Sequence, residues 1–544
     1  MLRTVGLVLA LAASVAGHAE KSTVCSITVN SVDEREVFRQ SLPADKYQFV
    51  ELVERGRTDW LGSACRQKVK CDVLVVSGHF AGSEFYSSKF DVNESLPVDE
   101  MERVACSDSC PDLFSQLKEV YLFGCDSLKS EPVRSASPEI VRGLVRAGHA
   151  RADAERLARA LSERHAEASR DRMRRIFSNV PVIYGFSSLA PYGRVAGPML
   201  SRHFQSASGE EIGSGRVSAR LLALFAPASM VVTGGMRDGD ANADYRAEAC
   251  RYHDDRFSPA QRLRFLHELM GRDMPEVRMA FERVEKFFAA ISESGRVETA
   301  FAAALDDLVR DKATREHYLA ITRETQDPAI RVRMIALAAT IGWLSPAERS
   351  AELVHTIHDV LAGDSMGFGE VDLVCTLNQD RALDPALARI HVTQSRPKTA
   401  HAAALACLGS ADSHARVLKA LASPQEADVQ IAQAYLRHRP ITDPKELREV
   451  ALGIARMKGS GAQARALETL ARLHVSDREV LDELARLFKQ STSLHVQRAI
   501  AEVFIRAGAL SDRDLAGLFR QHRIKAPAGS EDLIDVLIRR LQAS

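Results

Sequence analysis

Cys71–Gly82, CDVLVVSGHFAG, places the apolar run Val73–Val76 directly ahead of Ser77, Gly78 and His79. A short unbroken apolar run between polar and glycine positions suits a parallel β-strand covered on both faces. A second segment, KEVYLFGCDSL (Lys118–Leu128), repeats the pattern and ends on Cys125. Open α/β sheets gather their reactive groups at the carboxyl ends of such strands. A histidine and a cysteine delivered there from two strands are the parts of a cysteine hydrolase.

Working outward, Ser26–Asn30, Tyr47–Val53 and Val182–Phe186 read as further strands, with amphipathic segments between them. One of these, Ser95–Cys106, reads as a helix capped by Ser95 or Asp99. Pro138–Phe177 is rich in Ala, Arg and Glu without an internal proline, and reads as one long helix or a helical pair. The layout predicts an α/β domain with a mostly parallel sheet over residues 25–255. From about Ser258 strand-like runs vanish and Ala, Leu, Arg and Glu recur at helical spacing. Helices beginning near Ala402, Val429, Ala464 and Val496 are spaced by roughly 27 to 35 residues. Residues 256–544 are therefore expected to form an all-α superhelical array of HEAT-like hairpins, with a generic α-helical array as the alternative because the spacing is irregular.

At 544 residues the chain exceeds one core, and two or three domains are natural. Lys+Arg and Asp+Glu balance at 72 each, so no global field favours nucleic acid or an anionic membrane. Arg3, the apolar run Val5–Val15 and the small residues Gly17 and Ala19 read as a secretory signal peptide over residues 1–19, too short to span a bilayer. The mature protein is expected to be periplasmic or secreted, with no membrane span.

Export changes how the nine cysteines are read, because an odd number in an oxidising compartment leaves at least one free thiol. Cys125 is the candidate for that thiol. Cys106 and Cys110 are read as disulfide partners, locally or to Cys65 or Cys71, in preference to half a zinc site. Cys375 and Cys407 sit in helical patterns and read as buried small hydrophobes. His149 and His165 lack metal-ligand spacing and read as surface residues. No metal or cofactor is expected.

A nucleophilic cysteine needs a cationic, dipolar or basic neighbour to act near neutral pH, and His79 can carry the proton. Gly78 and Gly124 would let backbone and substrate approach closely. Backbone amides beside Cys125 and after His79 are the candidate oxyanion donors. Glu84 and Asp126 are candidate acids for a pocket selecting a basic residue, with a solvated loop carboxylate as the alternative for each.

A hydrophobic strand ending Gly-His, followed 46 positions later (125 − 79) by a hydrophobic strand ending small-residue-Cys, resembles the clan CD cysteine peptidases. This resemblance implies a caspase-like α/β sandwich with His79 and Cys125 as the dyad. It also implies a substrate-contacting loop at Ser187–Tyr192, which includes Ser187 and Ser188. Phe80 stands where that family usually has glycine, with its amide serving the oxyanion hole, and Gly124 where alanine is commoner. The function expected is an exported cysteine endopeptidase acting on a protein or peptide, with the helical array binding substrate or a protein partner. The alternative is an inactive caspase-like scaffold for protein–protein interaction. A third reading, self-processing near Asp240–Asp255, rests on that linker alone.

Overall fold

The computed structural model of the protein describes residues 21–52, 61–87, 94–107, 110–132, 135–206, 212–254, 256–363, 366–387, 398–458, 460–508, 512–525 and 532–542. Residues 1–19, read from the sequence as a signal peptide, lie outside the described residues. The chain divides into two compact units, Met1–Ile321 and Thr322–Ser544.

The first unit begins with β1 (Ser22–Thr28), α1 (Asp33–Ser41), β2 (Tyr47–Glu51), α2 (Gly62–Arg66) and β3 (Val73–Ser77). A small hairpin sheet follows, β4 (His79–Phe80), β5 (Glu84–Tyr86) and β6 (Ser95–Pro97), then α3 (Val98–Cys106) and β7 (Glu119–Phe123). Next come α4 (Ser137–Arg146), α5 (Arg151–His165), α6 (Ser169–Ile176), β8 (Val182–Phe186), α7 (Gly193–Ser206), α8 (Ala219–Phe225), β9 (Met230–Thr233) and α9 (Ala243–Cys250). The main sheet has six strands in the order β2-β1-β3-β7-β8-β9, parallel except for the pairing of β9 with β8.

Every residue of β3 and β7 is buried, as their unbroken apolar runs require. Alternation divides the two strands between two apolar layers. Val73, Val75, Tyr121 and Phe123 pack with Phe38 of α1, Leu200 of α7 and Phe225 of α8. Leu74, Val76, Val120 and Leu122 pack with Met101 and Val104 of α3 and Met173 and Ile176 of α6. The result is a three-layer α/β/α sandwich. By area bookkeeping, each such side chain fully buried contributes about 1.5–3 kcal/mol.

Three local readings are corrected. The helix expected from Ser95 starts at Val98, because residues 95–97 pair antiparallel with β5 and Pro97 is held extended at ψ 138°. The segment expected as one helix or a pair is three helices. It is broken after α4 near Gly148 (φ +98°), and after α5 by Ala166 in the left-handed region at φ +52°. His165, read as a surface residue, is buried. Its Nε2 lies 3.0 Å from Glu276, and the Tyr245 hydroxyl lies 2.8 Å from Nδ1.

Helices α10 (Pro259–Met270), α11 (Met274–Ala290), α12 (Glu293–Arg296), α13 (Thr299–Arg310) and most of α14 (Lys312–Glu324) belong to this first unit. Helix α11 packs on α4 and α5 and is tied by Arg278–Glu139 (2.8 Å) and Lys286–Asp99 (2.7 Å). The change to all-helical structure thus falls at α10, while the compact unit continues to Ile321.

The second unit is helical among its described residues, from α15 (Pro328–Ile341) through α16 (Pro346–Ala362), α17 (Phe368–Leu377), α18 (Asp384–Leu387), α19 (Thr399–Cys407), α20 (Ala411–Ala420) and α21 (Glu426–His438) to α22 (Pro444–Ala455), α23 (Ser460–Arg472), α24 (Arg478–Gln490), α25 (Leu494–Arg506), α26 (Arg513–His522) and α27 (Leu533–Gln542). From α19 onward alternate helices stack in two series, α19-α21-α23-α25-α27 and α20-α22-α24-α26. Two buried glutamines recur at one position of this array. Gln463 Nε2 donates to the Ile454 carbonyl (3.0 Å) near the end of α22, and Gln497 Nε2 to the Phe488 carbonyl (3.1 Å) in α24. Both carbonyls lie in the last turn of their helices, where backbone donors run out, and that of Ile454 also accepts from the Met457 N–H at 3.1 Å.

Eight cysteines are paired: Cys25–Cys71, Cys65–Cys110, Cys106–Cys250 and Cys375–Cys407. Cys106 therefore bonds across 144 positions to α9, outside the partners expected for it. Cys375 and Cys407 are buried, as read, but bonded to each other between α17 and α19. Cys125 carries the free thiol. No helix among the described residues is long and apolar enough to cross a membrane.

Candidate functional site

Strands β3 and β7 lead to His79 and Cys125 at the same end of the sheet. Ser77 and Phe123 are their last register partners, and the Gly78 N–H extends the pairing to the Phe123 carbonyl at 3.1 Å. His79 and Cys125 each lie two residues beyond that register pair, at the carboxyl edge.

Beyond Gly78 the chain leaves the main sheet and turns back through the two-residue loop Gly82–Ser83. Gly82 at φ +83° supplies the positive φ that such hairpin turns need. The Ala81 N–H bonds the Glu84 carbonyl at 3.1 Å, so in the alternating antiparallel pattern the Phe80 N–H faces away from β5. The Phe80 side chain is buried, with its ring 4.7 Å from that of Phe85. It packs into the core and does not cover the cleft.

Gly124 is forced by that packing. A Cβ there would stand 2.8 Å from Phe80 Cβ, 2.9 Å from Phe85 Cε1 and 3.1 Å from the Gly78 carbonyl oxygen. The bulk at position 80 and its absence at position 124 are one compensated arrangement. After Cys125 the backbone reverses at Asp126 (φ +57°), whose N–H bonds the Ser188 carbonyl at 2.7 Å. Ser127 Oγ accepts from the Phe186 N–H at 3.1 Å and donates to the Leu122 carbonyl at 3.3 Å, tying this turn to β8.

The segment after β8 closes the site. The Ala190 N–H donates to Cys125 Sγ at 3.3 Å, and the Tyr192 ring meets the His79 ring edge-on at 6.2 Å. Tyr86 of β5 flanks the imidazole from another side, ring centroids 5.4 Å apart. Residues 190–192 thus touch both the thiol and the imidazole. Cys125 is half-buried and His79 partly exposed. Gly193 keeps the segment in place, because a Cβ there would strike Ser31 Oγ at the start of the β1–α1 turn.

Beneath the edge, Glu34 of α1 is buried and its Oε2 has no hydrogen-bond partner. Burial pushes its carboxyl pKa up, with its own backbone and the Ser31 and Ser77 hydroxyls pulling the other way.

The other residues singled out in the sequence have these positions. Gly78 is a close-approach point, a Cβ there lying 3.2 Å from Val29 Cβ. Glu84 opens β5, on the hairpin that carries Phe80. The Asp126 carboxylate pairs with Lys129 at 3.7 Å. Ser187 gives both its N–H and its hydroxyl to the Ser229 carbonyl (3.1 and 3.2 Å). Ser187, through its N–H and hydroxyl, and Ser188, through its carbonyl, thus anchor the loop whose next residues reach Cys125. Ala190, Tyr86, Tyr192 and Glu34 were not singled out in the sequence. Ala190 and Tyr192 fall within the loop Ser187–Tyr192 without a role of their own in the sequence, and Tyr86 carries no local signal.

No family model, curated protein or solved structure matches this chain. Its chemistry therefore rests on its own geometry. A cavity of about 550 Å³ lies elsewhere, lined by Cys106, Cys110, Asn179, Arg246 and Cys250 among others. Asn179 precedes β8, which places this cavity toward the amino ends of the strands. Arg246 there is already bonded to the Arg175 and Ala105 carbonyls (3.1 and 3.0 Å). The three cysteines at its wall are all in disulfides, Cys106 with Cys250 and Cys110 with Cys65, so its described wall offers no free thiol.

Proposed function

We propose that the protein is a cysteine endopeptidase in which Cys125 attacks and His79 carries the proton, within a caspase-like domain of the clan CD type. One observation carries this reading: the thiol left out of the four disulfides lies two residues beyond the same register pair as a histidine. The three-layer sandwich, with its single antiparallel edge strand, supports the fold assignment.

In the reaction, His79 accepts the Cys125 proton and the thiolate adds to the scissile carbonyl carbon, forming a C–S bond while the carbonyl electrons move to oxygen. The N–H groups of Phe80 and Cys125 are the donors for that oxyanion. Collapse breaks the C–N bond, and the amine leaves with the proton from His79. Water then gives a proton to His79 and attacks the thioester, the C–S bond breaks, and the acid departs as the thiol is restored. The Ala190 N–H favours the thiolate by a charge-assisted hydrogen bond.

The helical unit is proposed as a HEAT-like array that binds substrate or a protein partner, supported by its two stacked helix series. Export through the segment 1–19 is supported by the four disulfides of the mature chain, which need an oxidising compartment. The test is hydrolysis of a mixed peptide library by the full chain. The wild type is expected to cleave, and Cys125→Ala and His79→Ala to lose at least about a hundredfold. Cleavage that persists in Cys125→Ala overturns the assignment.

A further inference from the structure

Exposed apolar side chains gather on the carboxyl edge of the sheet. Of the eleven large hydrophobic residues found exposed among those described, five lie there: Val32, Tyr86, Leu189, Tyr192 and Val195. Leu189 is 74% exposed and Tyr192 64%, and they bracket Ala190, the residue whose amide meets the Cys125 sulfur. Tyr86 and Tyr192 stand on two sides of the His79 ring, at 5.4 and 6.2 Å. Val32 follows Ser31, which abuts Gly193, so the β1–α1 turn and the start of α7 continue the same surface. Exposed apolar groups scattered singly need no explanation, whereas a contiguous patch marks a binding surface.

Three of the charged groups beside this patch are already engaged. Asp126 pairs with Lys129 at 3.7 Å, Asp33 accepts from Ser31 Oγ at 2.8 Å, and Arg194 lies over the Tyr192 ring at 5.9 Å. An acidic or basic substrate side chain would have to displace one of these partners. An aliphatic or aromatic one needs only to shed water from itself and from Leu189 and Tyr192.

We propose that this patch is the specificity surface of the Cys125 site, and that it selects a polypeptide whose residue next to the scissile bond is aliphatic or aromatic. This rests on the reading of Cys125 as the nucleophile, and it replaces the acidic pocket considered for Asp126 and Glu84. Folded proteins keep such residues inside, so the substrate class is unfolded or extended polypeptide.

The test uses the full disulfide-bonded chain and peptidyl acyloxymethyl ketones that differ only in the residue beside the reactive ketone: Leu, Phe, Asp or Arg. Labelling of Cys125 is followed by mass spectrometry, and each rate is divided by that of iodoacetamide, which has no side chain to recognise. Leu and Phe probes are expected to label at least about tenfold faster than Asp and Arg probes, the scale of discrimination one apolar pocket provides. Leu189→Ser and Tyr192→Ser are expected to flatten that ratio. Asp or Arg probes as fast as Leu, an Arg preference abolished by Glu84→Gln, or a Leu preference unchanged in both serine variants overturns the proposal. So does a wild-type dimer that dissociates in the serine variants, since the patch would then cover a second copy. Apolar-selective labelling with no peptide hydrolysis overturns only the endopeptidase reading, which separates the two failures.

Discussion

The backbone N–H of Ala190 donates to the sulfur of Cys125 across 3.3 Å, although 65 positions separate them in the chain. Strand β8 runs beside β7, so the turn after Phe186 returns over the carboxyl edge of β7. Asp126 N–H to Ser188 carbonyl, at 2.7 Å, clamps the two turns together.

Removing that donor should slow the thiol. Ala190→Pro lacks the N–H, and a charge-assisted hydrogen bond contributes about 1.5–3 kcal/mol. The iodoacetamide labelling rate of Cys125 at pH 7 is expected to fall about tenfold or more while the circular dichroism spectrum is kept. An unchanged rate means that the contact gives the thiolate nothing.

Phe80 and Gly124 should be energetically coupled. Gly124→Ala alone brings a Cβ to 2.8 Å from Phe80 Cβ, an overpacking expected to cost about 1–3 kcal/mol. In a Phe80→Gly background the same change should cost less, giving a coupling energy of about 0.5–3 kcal/mol by double-mutant cycle in urea. Strict additivity would show that the two positions do not share the space.

Glu34 should make stability fall with rising pH. Burial raises its pKa above the ordinary 4.5, so the folded state holds the proton more tightly than the unfolded state. The stability this confers is complete below about pH 4.5 and is lost as pH rises through the raised folded value. Glu34→Gln is expected to remove that dependence, read as a urea-unfolding midpoint that no longer falls as pH rises.

Glu102 should act in the opposite sense. Burial alone would raise its pKa, but Arg172 (3.0 Å) and Arg175 (2.6 Å) outweigh burial and hold it well below the carboxylate range. Its contribution is therefore present above the ordinary value of 4.5 and is lost as pH falls through the depressed folded value. Glu102→Ala strands the buried Arg175 guanidinium, while Arg172 keeps Asp99, and is expected to cost about 3–5 kcal/mol, read as a lowered urea midpoint at pH 7.

Much of the first unit was legible in local pattern. Val73–Ser77 and Val182–Phe186 are strands over the residues read from their apolar runs, because burial on both faces leaves an unbroken signature. The small strands β4 and β6 were not legible. Two or three residues carry no period, and Ser95–Pro97 resembles a helix entry until β5 pairs with it. Of the site, His79, Cys125 and the two glycines were visible because their residue types are chemically distinctive at strand ends. Tyr86 and Tyr192 were not, since an exposed tyrosine becomes significant only when its neighbour in space is an imidazole.

The sequence by itself determined that two apolar strands end on His79 and Cys125, that helices follow from about Ser258, and that nine cysteines leave at least one without a partner. Each of these is a property of neighbouring residues or of a count. Only the tertiary structure decided that Cys106 bonds Cys250, that Phe80 fills the space Gly124 leaves, and that Ala190 and Tyr192 return to the thiol and the imidazole. Those encounters depend on the paths of long connections around a closed core, and apolar spacing along the chain carries no record of where such paths meet.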